Sequence, residues 1–361
     1  MITITRRTLL AGTAAAAATI PLGRASAQTE TIQLTISSSH PLTIPWVAPL
    51  KSIVVDRSNQ LLEERGSGYR IEWTEAFGGA LYGFEDTLES VSQQLTDMGW
   101  IGALWEPSAL PLQNIMYSTP FATNNVRQAI DVMNALNETN EAMKKEWADQ
   151  NIVYFGSCVS DGYHLFTKTP INSLEDLRGL KILGAPVCAP WIEPLGATLV
   201  ATGLPAQYSQ LQTGVGDGSI LIATGAWPLK IHEVAPYMTL VDTGPLTFGG
   251  FGVNKDSYDS LPADVQQVIA ELGREYSLEN ARLIEEGTVS AIESMRAGGA
   301  TVTEMPQDQR QAWVDAMPDL GALWVETNEA SGIPARDILK AFMEGLRANG
   351  GQPLRNWDEN V

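Results

Sequence analysis

Residues 174–218 constrain this chain more than any other stretch: LEDLRGLKILGAPVCAPWIEPLGATLVATGLPAQYSQLQTGVGDG. A helix-like turn over Ser173–Leu177 leads into a short apolar strand, Leu180 to Leu183. Gly184, Ala185 and Pro186 form a loop, and a helix is expected from Cys188 to Gly196. A strand over Ala197–Ala201 and a helix over Gln207–Gly214 lead to the turn Gly216-Asp217-Gly218. This β-loop-α-β-α-β order is a crossover unit of a mostly parallel sheet. Loops at the carboxyl ends of such strands face a crevice, which is where ligands bind.

The rest of the chain has the same α/β character. Ile32 to Ser37 alternates apolar and polar residues and predicts a strand. His40-Pro41 and Pro45-Trp46 break it, a helix is expected over Trp46–Glu63, and Tyr69–Thr74 predicts the next strand. A helix is expected over Phe84–Gln94, a single amphipathic one over Arg127–Trp147, and a buried strand over Ile152–Phe155. Apolar residues at helical spacing from Val265 to about Met295 predict a helix of ~45 Å. Gly332 and Pro334 separate two of the closing helices. At 361 residues the chain exceeds the usual single-domain size, so two lobes are expected.

Several short motifs, taken in order, carry a resemblance. Asp176-Leu177-Arg178-Gly179-Leu180-Lys181-Ile182, Leu195-Gly196-Ala197 and Leu211-Gln212-Thr213-Gly214-Val215-Gly216-Asp217-Gly218 resemble the wording D-L-K-G-L-K-I-R-V-P, L-G-A and L-Q-T-G-V-V-D-G-Q-E-N-P. That is the signature of the solute-binding subunits of TRAP transporters, the DctP-type family. Gly79, Leu81, Gly83, Val91, Asp97, Met98 and Gly99, then Asn254-Lys255 and Leu261-Pro262, extend the likeness over roughly residues 30–340. The resemblance implies a two-lobed periplasmic binding protein with hinge-connected mixed sheets and a long helix spanning both lobes. Lobe one is then 28–156 plus 239–275, lobe two 157–238 plus 276–335, and 336–361 a C-terminal helical extension. Gly156–Gly162 and Met238–Phe251 would be the hinge crossings. The implied partners are a small organic solute and a permease of small and large integral subunits.

The sequence departs from the family at its ligand contacts. The arginine ending the L-K-I-R-V-P strand is replaced by Leu183, and the asparagine of D-G-Q-E-N-P by Leu221. A second family arginine aligns near Tyr163 or His164. A bidentate guanidinium is what a carboxylate ligand needs, so the usual C4-dicarboxylate is not the expected solute. Aromatic residues are expected to take over, since an apolar pocket with few polar groups suits a small molecule. The expected ligand-binding set is His40, Trp46, Glu75, Phe77, Trp100, Tyr163, His164, Leu183, Ala185, Leu221, Trp227 and Phe248. Trp105 and Trp191 also fall beside strand-end loops, with Glu106 near. Against this stands a blander reading, in which most of these rings are core, His164 a satisfied strand histidine, and His40 part of a surface turn. An aromatic acid, an amine and a neutral hydroxylated compound all remain open as the solute.

Arg6-Arg7, the apolar stretch Leu9–Leu22 and the site Ala25-Ser26-Ala27 predict an export signal cleaved near Ala27, by a Sec or twin-arginine route. Removing residues 1–27, with three arginines and no acid, takes the formal charge from −19 to −22. Such an excess argues against nucleic acid as a partner. Cys158 and Cys188 stand equally as one disulfide or two buried thiols. There is no G-x-S-x-G elbow, P-loop, dinucleotide fingerprint or H-E-x-x-H. No catalytic residue, metal or cofactor is therefore expected. A periplasmic sensor subunit and, more remotely, a hydrolase are the alternatives.

Overall fold

The computed structural model describes residues 29–361; the expected export signal lies outside them. Among the described residues eleven strands run in chain order: β1 Glu30–Ser37, β2 Tyr69–Ala76, β3 Met98–Ile101, β4 Ile152–Val159, β5 Tyr163–Thr167 and β6 Lys181–Gly184. They continue as β7 Thr198–Ala201, β8 Gly218–Ile222, β9 Tyr237–Leu240, β10 Thr247–Asn254 and β11 Thr301–Glu304. Two mixed sheets result. The first has the order β2-β1-β3-β10-β4 and the second β11-β9-β5-β8-β6-β7. In the first, β1 is parallel to β2 and β3, while β10 is antiparallel to β3 and β4. In the second, the predicted crossover unit supplies the parallel run β8-β6-β7. The chain passes between sheets from β4 to β5 and from β9 to β10. β9 pairs wholly in the second sheet, so the expected lobe limit before residue 239 runs through a strand.

The long helix is real and spans Ala263–Ala297, 35 residues. Its first half lies directly on β4. A Cβ on Gly273 would sit 2.4 Å from Phe155 Cβ, and one on Gly156 would sit 2.3 Å from the Gly273 carbonyl oxygen. Two glycines thus let helix and strand backbones touch. Ser277 Oγ donates to the Ser157 carbonyl at 2.9 Å, and the Asn280 side-chain oxygen accepts the Val159 N–H at 2.8 Å. Its last turns reach the second sheet, where Ala291 and Met295 join a core with Phe166, Leu183, Leu211 and Met238. The final helix, Ala335–Ala348, packs on the helix Val126–Thr139, with Gln128 Nε2 donating to the Leu346 and Asn349 carbonyls.

Three local expectations change. The helix expected from Trp46 starts at Leu50 instead, after Pro49, with a stretch of wide π-type turns before Asp56–Glu64. The single helix expected over 127–147 is two, Val126–Thr139 and Glu141–Asp149. Asn140 breaks it by accepting the Ala142 and Met143 N–H groups at 2.9 and 3.2 Å, a helix-starting cap. The helix expected over 188–196 is three short turns, because Pro186, Pro190 and Pro194 each withdraw a backbone donor.

Candidate functional site

A cavity of about 650 Å³, its mouth included, lies between the two sheets. The first sheet contributes the loop after β1 (His40), the turn before Leu50 (Trp46), β3 (Trp100) and the start of β10 (Phe248). The second contributes Tyr163 from β5, Ala185 after β6, Thr202 and Leu204 after β7, and Ile220–Ile222 from the end of β8. Most of these points are carboxyl ends of parallel strands, the place the sheet rule assigns to ligands.

The rings on the first-sheet side touch one another. His40 lies 4.4 Å from Phe84 and 4.8 Å from Trp100, centroid to centroid. Trp46 meets Phe248 edge-on at 4.8 Å, and Phe84 meets Trp105 at the same distance. Such tilted and edge-to-face pairs are the preferred aromatic geometry. The Trp100 indole is fixed by donating to Cys158 Sγ at 3.1 Å, and Gly102 makes room for its far edge, where a Cβ would fall 2.8 Å from the ring. Across the cavity Tyr163 meets Trp191 edge-on at 5.7 Å, and Trp191 stacks on Tyr117.

No Asp, Glu, Lys or Arg lines this space among the described residues. Burial pushes the His40 imidazole down to about 4, so it is neutral at pH 7; its Nδ1 is 2.9 Å from Ser39 Oγ. Burial pushes the Tyr117 and Tyr163 phenols up, keeping both neutral. The polar groups among the lining residues are the neutral His40 ring, hydroxyls, one amide and indole N–H groups. Gln207, 3% exposed, receives the Ser219 hydroxyl on Oε1 at 2.5 Å. Trp46 Nε1 is buried without a hydrogen-bond partner among the described residues.

Of the residues singled out by sequence, His40, Trp46, Trp100, Tyr163, Ala185, Leu221 and Phe248 line the cavity. Five do not. Leu183 is fully buried in the second core beneath Gly216, where a Cβ would sit 2.6 Å from its Cγ; Ala185, two residues on, reaches the cavity. His164 follows Tyr163 on β5, and strand alternation turns it to the opposite face. There its Nδ1 accepts the Asp242 N–H at 3.2 Å, beside a groove holding Asp161 and Arg310. Burial and then the Arg310 charge hold its imidazole at about 4. Glu75 faces Lys51, 3.5 Å away, and Phe77 packs half-buried against the first core. Trp227 is 39% exposed and stacks on His232.

Sequence reasoning passed over Phe84, Tyr117, Ser160, Thr202 and Gln207 as lining residues. Thr202 stands just beyond the end of β7, a signal that was present, whereas Phe84 lies eight residues past β2, shortly before the helix Thr87–Ser92. Tyr117 and Gln207 carried none, since a helical turn brings each in from a distance. Cys158 and Cys188 are two buried free thiols, not a disulfide. Among the described residues no cluster of His, Cys, Asp and Glu could hold a metal ion, and no helix is long and apolar enough to cross a membrane.

Residues 53–326 match the model of the family described as bacterial extracellular solute-binding protein, family 7. A solute-binding protein of Sulfitobacter sp. strain NAS-14.1 is 31% identical over 185 residues, 49% of this chain and 52% of that protein. The chain spans about half the length of several curated relatives it matches. Solved structures are matched over nearly their whole length. A TRAP periplasmic solute-binding protein from Desulfovibrio salexigens superposes with a TM-score of 0.75 at 24% identity, covering 88% of this chain and 97% of that one. A TRAP solute-binding protein from Rhodoferax ferrireducens T118, in complex with benzoate, gives 0.74 at 20% identity, covering 88% and 98%.

Proposed function

This chain belongs to family 7 of the bacterial extracellular solute-binding proteins, and from that premise we propose that it captures a small organic solute for a TRAP-type transporter. In this reading the solute enters the cavity between the two sheets and the lobes close on it. Lobe one is built on the first sheet and lobe two on the second. The closed form is recognised by a permease of small and large integral subunits. Export removes residues 1–27 and leaves the protein in the periplasm. No bond is made or broken. Ligand shifts the lobes only by contacting both of them in the closed state, which gives that state the higher affinity.

One observation carries the reading of the solute. The cavity joins elements of both sheets and has aromatic walls with no ionised side chain among the described residues. Both carboxylates of a C4-dicarboxylate would be desolvated there without a partner, at a cost of several kcal/mol each. The solute is therefore not a standard C4-dicarboxylate. The relative from R. ferrireducens holds benzoate, and an apolar, ring-lined cavity accords with a solute that has a flat body. Calorimetric titration with succinate and with small aromatic solutes, paired with X-ray scattering of the same samples, tests this. Succinate is expected to show no heat at millimolar concentration, and an aromatic solute to bind and lower the radius of gyration. Submillimolar succinate binding would refute the reading of the cavity.

A further inference from the structure

The long helix reaches the cavity wall from behind without lining it. Tyr276, Ser277 and Asn280 are fully buried on one face of it. The Tyr276 hydroxyl donates to the Trp46 carbonyl at 2.7 Å, and Asn280 Nδ2 donates to the Pro45 carbonyl at 3.3 Å. Pro45 and Trp46 lie in the turn ahead of Leu50, and the Trp46 ring lines the cavity. The other end of the Asn280 amide accepts the Val159 N–H at 2.8 Å. Both partners of this amide are backbone groups, an N–H and a C=O, so they settle which end is oxygen. Val159 ends β4; Ser160 after it and Tyr163 at the start of β5 line the cavity. One side chain thus joins the turn that carries Trp46 to the crossing between the sheets. Tyr276 also borders Cys158, whose sulfur accepts the Trp100 indole N–H at 3.1 Å. The phenol has one proton, which goes to the Trp46 carbonyl, so toward the thiol it offers its oxygen. The Trp46 indole N–H has no partner among the described residues. No hydrogen bond therefore fixes the ring itself; its edge-on contact with Phe248 and the hold on its backbone do.

We propose that Tyr276 and Asn280 are positioning residues of the solute site. Neither touches the solute. Together they hold Trp46 in register with the crossing at Val159, so the aromatic wall is set before the solute arrives and affinity is not spent on ordering it. This rests on the reading of the cavity as the solute site. Ser277 supplies a built-in comparison: its hydroxyl donates to the Ser157 carbonyl at 2.9 Å, a helix-to-β4 bond of the same kind that leaves the Trp46 turn alone.

The experiment compares Tyr276→Phe, Asn280→Ala and Ser277→Ala in the mature protein, with thermal scans to establish that each is folded. Tyr276→Phe keeps the ring and removes only the hydroxyl, so it remains informative if Asn280→Ala fails to fold. Fluorine NMR of protein labelled with fluorotryptophan reads the wall without any solute, the Trp46 resonance being the one lost in Trp46→Phe. Tyr276→Phe and Asn280→Ala are expected to shift or broaden that resonance, and Ser277→Ala to leave it in place. Calorimetric titration with benzoate and with acetophenone, a charged and a neutral aromatic probe, reads affinity. The first two variants are expected to weaken whichever probe binds about 3–10-fold, and Ser277→Ala less than about 2-fold. A Trp46 resonance that neither Tyr276→Phe nor Asn280→Ala moves overturns the inference. So does an equal loss of affinity in Ser277→Ala, which would be a general loosening of the helix, or a moved resonance with affinity unchanged. If neither probe binds the parent protein, the reading of an aromatic solute fails, and the Trp46 resonance still decides whether the helix sets the wall.

Discussion

Asp161 offers a quantitative test of how the passage between the sheets is held. It lies just after β4, 2% exposed, and its carboxylate accepts the Thr224 backbone N–H at 3.1 Å and the Thr224 hydroxyl at 2.5 Å. His164, Asp242, Glu285, Glu304 and Arg310 line the same groove. Burial pushes the Asp161 carboxyl from 3.8 to about 6, against the opposing effect of the Thr224 bonds. The folded state thus holds a proton that the unfolded chain releases between those values, so stability falls as pH rises through that window. Above pH 7 the charged carboxylate costs ~3 kcal/mol relative to acid conditions. Asp161→Asn removes that cost and keeps one acceptor for Thr224, giving up the second bond at ~1 kcal/mol. The net gain is ~2 kcal/mol at pH 7.5 and close to zero at pH 4.5. For about 330 described residues this is a rise in Tm of roughly 3 °C at pH 7.5. Differential scanning calorimetry at both pH values reads it. A variant less stable than the parent at pH 7.5, or one whose gain is the same at both pH values, would refute the argument. Either result would mean that the charge of Asp161 is not what the fold resists.

Two further predictions follow from burial. Leu183→Arg puts a charge into the second core beneath Gly216, with no partner there, and loses the packing of a fully buried leucine; a loss of ~4 kcal/mol or more is expected, seen as insoluble protein or a collapsed denaturation midpoint, and a normally stable variant would show that the side chain reaches the cavity. Burial pushes the Cys158 thiol up to about 12 and that of Cys188 further, so a maleimide is expected to label neither in the native protein and both in guanidinium chloride; rapid native labelling would contradict the burial.

The sheet elements were legible because their signals are local. Alternation, glycine turns and proline breaks fix β1, β2, β6 and β7 to within a residue or two, and the long helix announces itself by its period. What failed was the side of the strand. Tyr163 and His164 are neighbours with similar chemistry, yet only one faces the cavity, and nothing local says which. Leu183 stands where the family has a ligand-binding arginine, but beside Gly216 an apolar side chain at this position is drawn into the core. Trp46 was legible as an aromatic beside a loop. Its unpaired N–H was not, because a donor lacks a partner only once all its neighbours are known.

The 35-residue helix has a consequence for how the molecule comes apart. It is seated on β4 through Gly156 and Gly273 and ends among the apolar residues of the other sheet. Melting either end strips the opposite half of a wall, and the chain threads back and forth between the halves instead of completing one before starting the next. The halves are therefore expected to share a common fate, a single calorimetric transition in the whole protein and no folded state for either half after excision.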